Sequence, residues 1–218
     1  MATALPPSRP SGPRPGISER IWEAARGEFS KRGYHGARVQ GIARGASCNV
    51  ALMYRHWASK RALYLDILRA VWVAAANELV RVLEGGPASP SVVVGAYLDA
   101  MMKDPMGAQI LIREYLDGAP YLAQLAQSDP SIFEPVRRAA IALHAGGEDG
   151  VDPVLSAVTV GGLAALVASA REAAQPFVDV HVEPETWRRH ALDLLVNGVA
   201  AARGPRAGTN GSAADGAA

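Results

Sequence analysis

An all-α protein is predicted from three features of the chain. Alanine is abundant and aromatics make up only 6% of residues, a composition that favours helices because Ala loses least on entering one. Apolar residues recur at three- and four-residue spacing, the period of a helix with one buried face. No convincing strand occurs, since runs such as 177–182 are too short to form a sheet alone. The expectation is about nine helices: a first helix, two short ones joined by a tight turn, one long one, and a helical body.

A first helix is expected from Ser18, an N-cap residue, with Ile21, Ala25 and Phe29 at four-residue spacing and Gly33 ending it. A second covers 39–45, turning Val39, Ile42, Ala43 and Ala46 inward. A tight turn, Ala46-Ser47-Cys48, leads to a third over about 49–55, with Val50 and Met53 inward. Ser59 then caps a fourth helix reaching about Glu84, roughly 38 Å long at ~1.5 Å per residue. Gly85-Gly86-Pro87 and Pro90 make the clearest internal break. Helices follow at about 91–102, 107–117, 130–144, 153–175 and 184–202, their connections carrying Pro105, Gly118, Pro120, Gly146, Gly147, Gly150, Pro176 and Pro184.

The flanks differ in kind. Residues 1–16 hold five prolines with Ser, Gly and Arg, and residues 204–218 are rich in Gly and Ala; both are expected to be disordered. The opening segment has no apolar run of the secretory type. Residues 153–170 form an eighteen-residue stretch without a charge, but Pro153, Ser156, Thr159, Gly161, Gly162 and Ser169 make it mildly hydrophobic. It suits a helix buried among helices rather than one in a bilayer, and a soluble, cytoplasmic protein is expected. The single cysteine, Cys48, excludes an internal disulfide framework or a cysteine-rich zinc site and fits a reducing compartment.

The net charge of +1 conceals an asymmetry. Residues 1–70 hold twelve Lys or Arg against four Asp or Glu, a balance of +8; residues 71–218 hold ten against seventeen, a balance of −7. A basic head on an acidic body points to a polyanion bound at one end only. Two short helices joined by a tight turn are the helix-turn-helix plan, in which the second helix enters the major groove and presents its N-terminal residues to base edges.

Residues 29–63 read FSKRGYHGARVQGIARGASCNVALMYRHWASKRAL, with Phe29, Gly33, Tyr34, Val39, Ile42, Ala43, Ala46, Tyr54, His56, Trp57, Ser59, Lys60 and Leu63 in gapless register. This segment resembles the DNA-binding domain of the TetR family of bacterial regulators. The resemblance implies base-facing roles for Asn49, Val50, Ala51 and Leu52, and a base reached by Gln40. It implies backbone contacts for Tyr54 and His56 and a phosphate contact for Lys60. Arg38 offers a charged phosphate contact in place of a hydroxyl, and Arg55 is balanced between phosphate contact and ordinary solvated charge. Three departures stand out: Ala37-Arg38 replaces the Thr or Ser that caps the second helix, Ser47-Cys48 replaces Gly-Val in the turn, and Gly41 replaces a polar residue.

By the same resemblance the chain divides into an arm (1–16), a helix-turn-helix domain (17–63), a ligand-binding and dimerisation domain (64–203) and a tail (204–218). The implied homodimer forms through the helices at about 153–175 and 184–202, and a two-fold dimer favours a palindromic duplex site with half-sites one turn apart. The implied activity is that of a one-component regulator, a repressor released from its operator by a small molecule of unknown identity. Candidates for the effector pocket are Trp72, Tyr97, Met101, Met102, Met106, Ile110, Arg113, Tyr115, Phe133 and His144. No cofactor or metal is expected: the five histidines are scattered without ligand spacing, and no phosphate loop or G-x-S-x-G elbow occurs. The alternatives are a ligand-independent DNA-binding protein and, further off, an enzyme on a helical scaffold.

Overall fold

The computed structural model describes residues 16–144, 153–177 and 182–202. Ten α-helices and two short 3-10 helices, and no strand, make up the described residues. They are α1 (Ile17–Gly36), α2 (Val39–Gly45), α3 (Val50–His56), α4 (Lys60–Glu84), α5 (Pro90–Lys103), α6 (Pro105–Leu116), α7 (Pro120–Ser128), α8 (Glu134–His144), α9 (Pro153–Ala174) and α10 (Pro184–Ala202). The 3-10 helices are Pro130–Phe133, before α8, and Gln175–Phe177, after α9.

The expected helices are present, with four corrections. Helix α1 starts earlier than expected: Gly16, not Ser18, is its N-cap, and no side chain caps it. Gly33 breaks the helix at φ 65°, ψ −178°, where only glycine sits without strain, but one further turn follows before Ala37. The 3-10 helix takes the first four residues of the helix expected over 130–144. Helix α7 was not anticipated, because Pro120 reads as a breaker. Proline is tolerated at the first helical position, where its missing N–H would have no partner anyway. Pro90, Pro105, Pro120, Pro153 and Pro184 all open helices in this way.

Helix α4 is the spine. Its buried stripe, Leu63, Tyr64, Ile67, Leu68, Val71, Trp72, Ala75, Ala76 and Leu79, follows the three- and four-residue spacing of one helical face. The first turns of that stripe pack on α1, in one core with Ile21, Ala25, Phe29, Ile42 and Met53, and the rest packs among α5, α6 and α8. One hydrophobic core therefore runs through the described chain.

Helix α9 buries Val160, Gly161, Ala164, Ala165 and Ala168 against α5 and α6. Gly161 faces Tyr97, whose hydroxyl a β-carbon at this position would meet at 3.5 Å, an ordinary van der Waals distance. Its opposite side leaves Leu163 and Leu166 each nearly half exposed, and Leu194 of α10 is 59% exposed. The expectation that a helix apolar all round is buried is therefore met on one side only by the single chain. Helix α10 is held by Arg188, whose guanidinium grips both carboxylate oxygens of Asp99 on α5, and by the Trp187 indole N–H, which donates to the Val167 carbonyl at 3.2 Å. No described helix is long and apolar enough to cross a membrane.

Candidate nucleic-acid interface and the cavity behind it

Helices α2 and α3 pack through Ile42, Ala43, Ala46 and Met53, which are buried, and so turn their remaining residues outward. Arg38, Gln40, Asn49, Ala51, Tyr54, Arg55 and His56 are exposed, and Val50 and Leu52 are half-buried at the edge of the same surface. No carboxylate occurs between Glu28 and Asp66, whereas seven Lys or Arg do. The surface is thus cationic and studded with side chains of base-reading type.

Two of the expected contact residues are engaged within the chain. Asn49 is the N-cap of α3: its Oδ1 accepts the Leu52 N–H at 2.7 Å. One lone pair of the amide oxygen is thus engaged, and its second lone pair and the NH₂ group are left for a base edge. Lys60 donates to the carbonyls of Tyr34 at 2.7 Å and Ala37 at 3.0 Å, and lies 4.4 Å from the centroid of the Tyr34 ring. Two of its three N–H donors therefore tie the α1–α2 link to the start of α4, leaving one for a phosphate. Trp57 is half-buried, beside Trp22, and its indole N–H donates to Asp66 at 2.9 Å.

The departures at positions 37, 38 and 41 compensate one another. Helix α2 lacks a side-chain cap of its own, but Glu28 of α1 reaches its start, with Oε1 accepting the Arg38 N–H at 3.3 Å and the Arg32 guanidinium at 3.1 Å. Gly41 provides the room, since a β-carbon there would stand 2.9 Å from the same oxygen. The mid-helix glycine was the only sequence sign of Glu28's role. Ser47 shows no such compensation: it holds φ 53° in the turn, the left-handed region that Gly occupies freely.

Helix α1 is splinted to the body along α6. At its start, Asp104 accepts the Gly107 N–H at 3.0 Å as N-cap and also pairs with Arg26 of α1. At its end, Arg113 donates to the carbonyls of Ser30 and Lys31, both at 2.7 Å, immediately before the Gly33 break. Arg113 was expected to meet a ligand; instead its guanidinium holds the end of α1, because these carbonyls have no intrahelical partner past the break.

The neighbouring Glu114 is 1% exposed and fully engaged. One oxygen accepts the N–H groups of Tyr121 and Leu122 at 2.6 and 3.0 Å, capping α7, and the other accepts the Tyr64 hydroxyl at 2.9 Å. Burial first, then the charge of Glu114, pushes the Tyr64 phenol well above the usual tyrosine range. Burial first, then hydrogen bonding to Tyr34, pushes Tyr121 up to about 12. Tyr34, Tyr64 and Tyr121 meet with ring centroids 4.5–5.1 Å apart, at the joint of α1, α4 and α7.

Behind this joint lies a cavity of ≈ 400 Å³, walled by Trp72, Tyr115, Phe133 and Val136 with the Gly118–Ala119 turn and Leu122. A smaller space of ≈ 50 Å³, sharing Trp72, Tyr115 and Val136, extends towards Tyr97 and Gly161. Among the expected pocket residues, Trp72, Tyr97, Tyr115 and Phe133 are thus brought together. Met101 and Ile110 are buried in the core, Met102 packs beside it and Met106 is on the surface; none of these four lines either space. The side chain of His144 lies outside the described residues.

Residues 21–67 match the family model of bacterial regulatory proteins, tetR family. No curated protein matches the chain in sequence. Among solved structures, a transcriptional regulator from Streptomyces coelicolor is 24% identical, with 86% of this chain and 98% of that one covered and a TM-score of 0.50. A tetR family transcription regulator from Shewanella sp. PV-4 is 16% identical, covers 84% and 98%, and has a TM-score of 0.61. A TetR-like transcriptional regulator from Rhodococcus sp. RHA1 is 20% identical, covers 87% and 99%, and also has a TM-score of 0.61. The fold seen here is therefore shared along nearly the whole length of those regulators.

Proposed function

We propose that the chain is a ligand-released repressor of the tetR family, whose model residues 21–67 match, and that it binds a palindromic operator as a homodimer. The observation that carries the reading is the carboxylate-free, outward-facing surface of α2 and α3, backed by an apolar cavity whose wall continues into the joint holding that surface. Arg38, Arg55, Tyr54, His56 and the remaining donor of Lys60 supply backbone contacts. Gln40, Val50, Ala51, Leu52 and the Asn49 amide group are offered to base edges.

The exposed leucines of α9 and α10 supply a two-fold interface. Leu163, Leu166 and Leu194 are apolar groups that a second copy of the same face would remove from water. Release by ligand runs through α6 as well as α4. The cavity touches Tyr115, Gly118, Ala119 and Leu122, and Arg113 and Glu114 just ahead of them hold α1, α4 and α7. An occupant that shifts the α6–α7 turn thereby moves α1 and, with it, the recognition helix. By linkage, operator and ligand weaken each other by the same factor.

Selection of bound sequences from a random duplex library by the full chain, at physiological salt, tests the reading. The expected result is a palindrome with half-sites about 10 bp, one helical turn, apart or a multiple of this. Enrichment of no sequence, with and without cell extract as a ligand source, would count against a specific regulator.

A further inference from the structure

The walls of the cavity specify the chemistry of what fills it. Its body is hydrocarbon and aromatic: Trp72 and Phe133 stand with ring centroids 4.6 Å apart, backed by Val136 and Leu122. The Trp72 indole N–H is already spent on the Ile132 carbonyl at 3.0 Å and is not offered inward. Of the polar side chains on the wall, one is Tyr115, whose phenol can donate as well as accept. The other is Arg137, half-exposed, which can only donate. Among the described residues no Asp or Glu lines the space, and the nearby Glu114 has both oxygens turned to Tyr64 and the start of α7. Among the described residues Arg137 pairs with Glu134 at 3.3 Å, one turn back on the same helix, and an exposed pair of this kind binds weakly.

An apolar chamber with donors and no carboxylate accepts a molecule that is greasy at one end and an anionic acceptor at the other. We propose that the effector is an apolar organic acid, its hydrocarbon portion against Trp72 and Phe133 and its carboxylate paired with Arg137 at the rim. This rests on the reading of the cavity as the effector site. An amine or a polycation is excluded by the same wall, since Arg137 repels it and no acid receives it.

The test is calorimetric titration of the full chain with straight-chain monocarboxylates from hexanoate to dodecanoate, each beside the alcohol of equal length. The acid of best-fitting length is expected to bind at least tenfold more tightly than its alcohol. Arg137→Gln should abolish that preference, while Arg138→Gln, on the same helix but not on the cavity wall, should leave it intact. Acid and alcohol binding equally well, or a preference that survives Arg137→Gln, overturns the assignment of an acid while leaving the cavity as a binding site. Binding of neither series at any length overturns both the acid and the effector cavity.

Discussion

Replacing Glu114 isolates the joint between the helix-turn-helix and the body. Its carboxylate is 1% exposed and receives three donors at 2.6, 2.9 and 3.0 Å. Glu114→Ala leaves two backbone N–H groups and the Tyr64 hydroxyl without an acceptor, at about 1–3 kcal/mol each when they stay dry. Water entering the vacated space recovers part of this, so the expected loss is about 3–5 kcal/mol, a large share of the ~5–15 kcal/mol that holds a typical domain together. Glu114→Gln behaves differently. Its amide oxygen can keep the two α7 N–H groups, but its NH₂ can only donate to the Tyr64 oxygen and leaves the hydroxyl proton without its acceptor, so the expected loss is about 1–3 kcal/mol, smaller than for Ala. Urea unfolding at one fixed protomer concentration measures both, since a dimer's stability depends on concentration. A Glu114→Ala protein within about 1 kcal/mol of wild type would refute the claim that this carboxylate holds α4, α6 and α7 together. Equal losses for Gln and Ala would show that charge, not the number of acceptors, is what matters.

Three further outcomes follow from the same geometry. Ser47→Gly relieves a left-handed residue at φ 53° and should stabilise by about 0.5–1 kcal/mol after glycine's entropy cost; Ser47→Val should destabilise, and equal thermal midpoints for the three proteins would remove strain from the account of the turn. Tyr64 and Tyr97 both have phenol pKa values raised chiefly by burial, so their contribution is complete below the unfolded value near 10 and is lost as pH rises above it. Each should subtract about 1.4 kcal/mol of stability per pH unit above pH 10, and thermal melts from pH 8.5 to 11.5 should fall less steeply for Tyr97→Phe than for wild type. Arg38→Ala should weaken duplex binding of any sequence and reduce the slope of log K against log salt by about 0.9 per copy; an unchanged slope would take Arg38 off the phosphate backbone.

What the sequence by itself determined is what short-range physics sets. Caps, glycine stops and the 3.6-residue period are local, so α2 and α4 fall at their expected bounds, Ser59 caps α4 by accepting the Ala62 N–H, and Asn49 stands at the start of α3. The inward residues Ile21, Phe29, Ile42 and Met53 were legible for the same reason. Locality also explains the missed helix, because a proline reads alike whether it breaks a helix or opens one, and only the Glu114 carboxylate beneath the N–H groups of Tyr121 and Leu122 decides for α7. The tertiary structure alone assigned the long-range partners. Arg113 looks like a pocket cation until packing sets it beside the carbonyl of Ser30, 83 residues away. Glu28 is an ordinary helix-surface acid until α2 arrives with a glycine opposite it. Met106 is apolar by composition, yet it lies on the water side of α6. A side chain's chemistry is written in the sequence, but whether its donors and acceptors are spent depends on which distant backbone groups the fold leaves unpaired beside it.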